Sequence, residues 1–192
     1  MTLLILGLLL FLGIHSVSIV APAWRDAIAN RMGLLKWKAV YSLIAIAGFV
    51  LLWKGYALAR TEPVVLYVSP AGLRHVAAAL MLPVFPLLLA AYSPGRIRVI
   101  TVHPMLVAVK LWALAHLLAN GMLADVVLFG SLLAWAVADR ISLKRRTPRA
   151  TPSLPPLAIN NAVVVIGGLA LYGLFVGVWH ARLFGVAPFG AG

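Results

Sequence analysis

The sequence contains no cysteine. That excludes disulfides, thiolate-bound iron–sulfur clusters, covalently attached c-type haem and any cysteine-based redox switch. Acid is almost as scarce. Asp26, Glu62, Asp125 and Asp139 stand against sixteen Lys and Arg, and charged residues of both signs make up only 10% of the 192 residues. A soluble domain carries roughly 25%, so a water-facing surface cannot be built from this composition. With one acid, Asp125, near the interior of an apolar run, paired-carboxylate catalysis is excluded. No Ser/His/Asp constellation and no His/Glu metalloprotease motif is present either.

What the chain does have is apolar sequence. Hydrophobic residues make up 64% of it, gathered into runs close to the roughly 20 residues that cross a bilayer core as a helix. Six spans are expected, at about 2–20, 39–59, 74–92, 104–119, 122–138 and 160–179. The fold class is therefore all-α: a polytopic membrane helical bundle forming a single domain over residues 1–192, with the lipid bilayer as its surroundings. Ala21-Pro22-Ala23 looks like a signal-peptide cleavage site, but no Lys or Arg precedes the first run and the run exceeds a signal core. It reads as a retained first span.

The formal charge of +12 would suggest nucleic acid in a soluble protein. Here the basic residues sit in short segments between apolar runs, and no nucleic-acid partner is expected. The first, third and fifth connections hold Arg25, Arg31, Lys36, Lys38, Arg96, Arg98, Arg140, Lys144, Arg145, Arg146 and Arg149. The opposite side holds Arg60, Arg74 and Arg182, with Lys54 near it. The bias of Lys and Arg toward the cytoplasm then puts both termini on the non-cytoplasmic side. The fifth connection, Lys144-Arg145-Arg146 followed by Pro148, Pro152, Pro155 and Pro156, is expected to be a flexible linker whose charges touch anionic headgroups. In the third span, Pro83 and Pro86 withhold the N–H groups due to the carbonyls of Ala79 and Leu82. A cavity beside that kink and an ordinary packing irregularity are both consistent with it.

Polar groups within a bilayer need individual explanations. The candidates are His15, Lys110, His116 and Asp125, with His75, His103 and His180 near span ends. In the fourth span, His103 and Lys110 are seven positions apart and share a face. His116 lies about 140° round from His103, and Trp112 sits one turn before His116. Asn120-Gly121 makes a tight turn, so reflection through it puts Asp125 at the level of His116. A carboxylate there would either set the tautomer of a ligating imidazole or join two membrane helices by a hydrogen bond. Lys110 would either snorkel to the headgroups or bind an anionic group such as a cofactor carboxylate. Two histidines on different spans suggest bis-imidazole haem ligation, with structural hydrogen bonding as the competing reading.

The segments Gly13-Ile14-His15-Ser16, Ala21-Pro22, Trp24-Arg25, Trp37-Lys38 with Tyr41-Ser42, Arg74-His75, the run from His103-Pro104 through Lys110-Leu111-Trp112-Ala113-Leu114-Ala115-His116 to Asn120-Gly121, and Trp135-Ala136-Val137-Ala138-Asp139-Arg140 together resemble the NnrU family. The resemblance covers nearly the whole chain. NnrU proteins are bacterial membrane proteins associated with nitrite and nitric oxide reduction, and they are similar to the cis-zeta-carotene isomerase of plants and cyanobacteria. The resemblance implies an inner-membrane location and a non-covalent haem b ligated by His15 and His116. Asp125, His103, Lys110 and Trp112 would support that site, and the substrate would be an apolar polyene undergoing cis–trans isomerisation. The isomerase carries a cysteine three positions before its second histidine; here that position is Ala113, so a thiolate switch is absent.

Two further readings stand beside the isomerase. One is a non-enzymatic haem- or nitric-oxide-linked accessory role in denitrification. The other is a membrane methyltransferase of the isoprenylcysteine type, suggested by the His103-Pro104 pair, although Val102 replaces the preceding arginine of that motif. Depth sets a constraint on the haem reading. His15 lies about five residues, roughly 8 Å, from the cytoplasmic end of its span, and His116 about twelve residues, roughly 18 Å, from that end of its own. Tilt, a span boundary other than Ala21-Pro22, or absence of haem would each reconcile the two.

Overall fold

The computed structural model describes residues 1–147, 149 and 151–189; Pro148 of the expected linker lies outside them. Every regular element among the described residues is helical, and the one β-type pairing is an isolated bridge between Val65 and Met122. Five helical stretches are long and apolar enough to cross a membrane, which marks the chain as a membrane protein. They are Thr2–Val20, Leu34–Ala59, Leu73–Ala90, Leu123–Leu143 and Asn160–Phe184. The expected fourth span is the apolar helix Pro104–Ala119, shorter at 16 residues. The chain divides into two compact units, one formed by residues 1–67 with 121–147, the other by 68–120 with the described residues after 147.

In the first unit, α1 (Thr2–Val20) stops where the sequence requires. Ala21 precedes a proline, is pushed out of the helical region (φ −135°, ψ 59°), and Pro22 takes the first position of α2 (Pro22–Met32). The helix α2 occupies part of what reads in sequence as a connecting segment. It ends at Gly33, whose φ of 87° suits a residue without a side chain. Arg25 lies over the Trp37 ring, 5.5 Å from its centroid, and Trp24 meets Trp37 edge-on. These contacts tie α2 to α3 (Leu34–Ala59).

Helices α1 and α3 run antiparallel in close contact, and the register is set by glycine. An added Cβ at Gly7 would strike the backbone of Leu51 and Leu52, one at Gly55 the backbone of Leu3 and Leu4, and one at Gly48 would lie 2.6 Å from the Phe11 nitrogen. Between lipid-exposed helices there is no hydrophobic drive to associate, so backbone approach across small residues supplies the packing. Helix α8 (Leu123–Leu143) packs on this pair. Residues ahead of α8 pair with the loop after α3: Gly121 O accepts from Leu66 N at 2.8 Å, and Leu123 N donates to Val64 O at 2.8 Å.

Arg146, just past α8, is held rather than mobile. Its Nη2 donates to Asp139 Oδ1 and its Nη1 to Ser18 O, each at 2.7 Å. The helical donor for Ser18 O would be residue 22, a proline with no N–H, so the guanidinium takes that place.

In the second unit, the third apolar run breaks into α4 (Leu73–Met81) and α5 (Val84–Ala90) at Leu82-Pro83. The kink is filled by α9 (Asn160–Leu174). Gly168 sits against Pro86, with the backbone so close that a Cβ would collide, and Tyr172 Oη donates to Ala78 O at 3.1 Å. The expected flexible linker is also engaged here, since Leu154 N donates to Tyr92 O and Pro155 O accepts from Asn160 Nδ2. A short α6 (Arg96–Thr101) leads into α7 (Pro104–Ala119). After α9 the helix passes through a π-type turn, Phe175–Trp179, into α10 (His180–Phe184), closed by Gly185 at φ 71°.

Candidate functional site

His15 belongs to the first unit and His116 to the second, and the two are built alike. His15 Nδ1 lies 2.6 Å from Phe11 O, and His116 Nδ1 lies 2.8 Å from Trp112 O. A carbonyl only accepts, so in each ring Nδ1 carries a hydrogen and donates it. In each case the acceptor is four residues back, and the residue that supplies it is aromatic. The Phe11 ring centroid is 4.3 Å from that of His15, and the Trp112 centroid is 5.1 Å from that of His116. An imidazole anchored through Nδ1 and oriented by a neighbouring ring is the form in which histidine ligates metal through Nε2.

Around His15 two further rings close in. Tyr41 of α3 stands edge-on at 5.2 Å, and Trp135 of α8 is perpendicular to it at 5.7 Å. Trp135 Nε1 is shut from solvent and has no hydrogen-bond partner among the described residues. A buried indole N–H normally finds an acceptor, so this donor is available to a group that joins the site. The helix end at Val20 keeps His15 five residues from the α1 terminus, so the boundary at Ala21-Pro22 is where the sequence puts it.

The other candidates fall differently. Asp125, 2% exposed, accepts from Tyr56 Oη at 2.5 Å and from Met122 N at 3.0 Å. Those two bonds join α8 to α3 and close the first turn of α8. Tyr56→Phe would leave the buried carboxylate with one donor fewer, and a loss of about 2 kcal/mol is expected. Denaturant titration in detergent, followed by tryptophan fluorescence, measures it; an unchanged midpoint would mean that the bond carries no stability.

His103 is the residue before Pro104 at the start of α7, directly after Val102, whose φ is 60°. Lys110 is half-buried in the middle of α7 and makes no ion pair or hydrogen bond among the described residues. Ala113 is fully buried. His75 is exposed, and His180 Nδ1 donates to Val186 O at 2.6 Å. Phe11, Tyr41 and Trp135 were not singled out by their own chemistry in the sequence. The aromatic-x-x-x-His spacing, at 11/15 and again at 112/116, is the signal that would have drawn attention to Phe11.

Among the described residues there is no group of three or more His, Asp or Glu arranged to hold a bare metal ion. A haem needs less, since the porphyrin supplies four nitrogens and the protein one or two axial imidazoles. Each imidazole, with its Nδ1 anchored on a carbonyl, is of the kind that serves as such a ligand. In comparisons with known proteins, the sequence profile of the family described as NnrU protein matches residues 3–188. No curated protein and no solved structure matches.

Proposed function

From the premise that this chain belongs to the NnrU family, we propose that it is a haem b protein of the bacterial inner membrane, with His15 and His116 as axial ligands. The observation that carries this reading is the matched pair of imidazoles. Each donates Nδ1–H to the carbonyl of an aromatic residue one turn back, the anchoring with which histidine ligates metal through its other nitrogen. Haem b bound there would supply a redox-active iron able to weaken a polyene double bond. The resemblance to cis-zeta-carotene isomerase therefore makes cis–trans isomerisation of a hydrophobic polyene the proposed reaction.

The chain's own residues do the positioning. The Phe11 and Trp112 carbonyls set tautomer and ring orientation. Phe11, Tyr41 and Trp135 pack around the His15 ring, and the buried Trp135 N–H would be a donor for a group bound there. A second reading draws support from Ala113, a fully buried methyl where the isomerase has its cysteine. A chain without a thiolate would offer a bound haem no exchange of imidazole for thiolate sulfur. That suits a non-enzymatic haem protein serving nitrite or nitric oxide respiration.

Purified wild type from haem-supplied cells is expected to show a Soret band and, on reduction, sharp α and β bands. His15→Ala and His116→Ala should each abolish or reshape them. A colourless wild type would sink the haem proposal, and a haem spectrum indifferent to both substitutions would sink the ligand assignment. Turnover of a cis-polyene by the loaded protein then separates the enzymatic reading from the accessory one.

A further inference from the structure

Two apolar helices of the second unit, α5 and α9, have ends joined by hydrogen bonds. The chain after α5 is drawn to the start of α9 by Asn160 Nδ2, which donates to Pro94 O at 2.8 Å. Asn161 Oδ1 accepts from Arg96 N, also at 2.8 Å. The start of α7 follows α6 directly, and α6 packs on both α5 and α7. This end of the unit therefore lies where apolar helices give way to polar connections, at the level of lipid headgroups.

The helix α6 is amphipathic in an unusual sense. Ile97 packs on the core of Val84, Leu87 and Ala108, while Val99, Ile100 and Val102 are 76%, 71% and 57% exposed. Three exposed aliphatics beside Arg96 and Arg98 are unfavourable in water. They suit a segment lying in the interface with its apolar side in the acyl boundary. Beside them is an open groove of about 340 Å³, lined by Pro94, Gly95, Arg98, Val99 and Val102. Arg98 Nη2 donates to Thr151 Oγ1 at 3.1 Å, which holds the guanidinium in the groove wall. Its remaining N–H groups make no hydrogen bond among the described residues. Gly95 lies against the Asn161 side chain, whose Oδ1 accepts from Arg96 N, so the groove floor is tied to α9.

We infer that this groove binds one anionic phospholipid, its phosphate on Arg98 and its acyl chains along Val99, Ile100 and Val102. The guanidinium fork matches phosphate oxygens, and the apolar lining matches the glycerol–acyl junction. The net charge of +12 favours an anionic headgroup over a zwitterionic one. The assignment does not depend on haem.

The test is native mass spectrometry of the detergent-solubilised protein titrated with phosphatidylglycerol or phosphatidylcholine. Wild type is expected to retain one phosphatidylglycerol in preference to phosphatidylcholine. Arg98→Gln should weaken that binding about fivefold, the value of one basic residue at a lipid surface, and Arg98→Lys should restore part of it. Arg140→Gln, in the other unit, should leave it unchanged. Equal retention of both lipids would overturn the inference. So would an equal loss in Arg140→Gln, which would mean diffuse attraction, or displacement of the lipid by millimolar inorganic phosphate, which would mean a phosphate site. If Arg98→Gln does not fold, Val99→Ser with Ile100→Ser reads the acyl half of the same site and should reduce retention by a similar factor.

Discussion

Arg146→Ala is expected to destabilise the first unit by about 3 kcal/mol, far more than an arginine in a Pro-flanked basic stretch suggests. The side chains of Arg146 and Asp139 are only 15% and 12% exposed, and the guanidinium bonds both Asp139 and Ser18 O. Removing it strands a nearly buried carboxylate. It also orphans a carbonyl at the end of α1 that no backbone N–H can satisfy, because Pro22 follows at the required position. A cation there also complements the negative end of the α1 dipole. Arg146→Lys should recover only part of the loss, since an ammonium does not reproduce the planar fork. A cycle with Asp139→Asn measured by denaturant titration checks the account: the aspartate substitution should harm the wild type and relieve Arg146→Ala. A loss of about 0.5 kcal/mol or less, typical of a solvated surface pair, would show that the clamp does not form.

The second large effect is steric. Gly7→Val and Gly55→Val each place a side chain where the facing backbone already lies, at Leu51–Leu52 and Leu3–Leu4 respectively. Helices α1 and α3 must then separate or slide, and about 3 kcal/mol or more of packing is lost. Gly13→Ala is the internal control, for its added Cβ meets nothing within 4 Å, and its effect should stay within about 0.5 kcal/mol. Because Phe11 and His15 lie on α1 and Tyr41 lies on α3, separation would also open the aromatic enclosure of His15. The valine variants should therefore change the tryptophan fluorescence of the folded protein as well as its unfolding midpoint. Valine variants as stable as Gly13→Ala would refute the close backbone register.

Some of this was legible in the residues. The break at Ala21-Pro22 follows from a rule about the residue before proline, and the interruption near Pro83 from a missing donor. Both are local, so sequence suffices. The helix Pro22–Met32 was not legible, because its charges look like those of a loop until Trp24 and Arg25 find Trp37. The kink could be located, but not the manner in which Gly168 and Tyr172 of α9 fill it. For the candidate site, His15 and His116 stood out as costly polar groups in apolar runs. Their Nδ1 acceptors lie one turn away and follow from helix geometry, whereas Tyr41 and Trp135 arrive from other helices. Sequence suggests His116 as a companion for Asp125; that its two oxygens engage Tyr56 and Met122 is visible only in the structure.

The sequence by itself determined that this is a helical membrane protein, and where most of its spans begin and end. In hydrocarbon every backbone group must be satisfied within its own helix, and bilayer thickness sets the length of each run, so composition over about 20 residues decides both. Tertiary structure alone decided how the buried polar groups are partnered. Tyr56 and Asp125 are 69 positions apart and Arg146 and Ser18 are 128 apart. Their pairing depends on how closely the helices approach one another. Glycine contacts set that approach, and hydrophobic periodicity does not encode it.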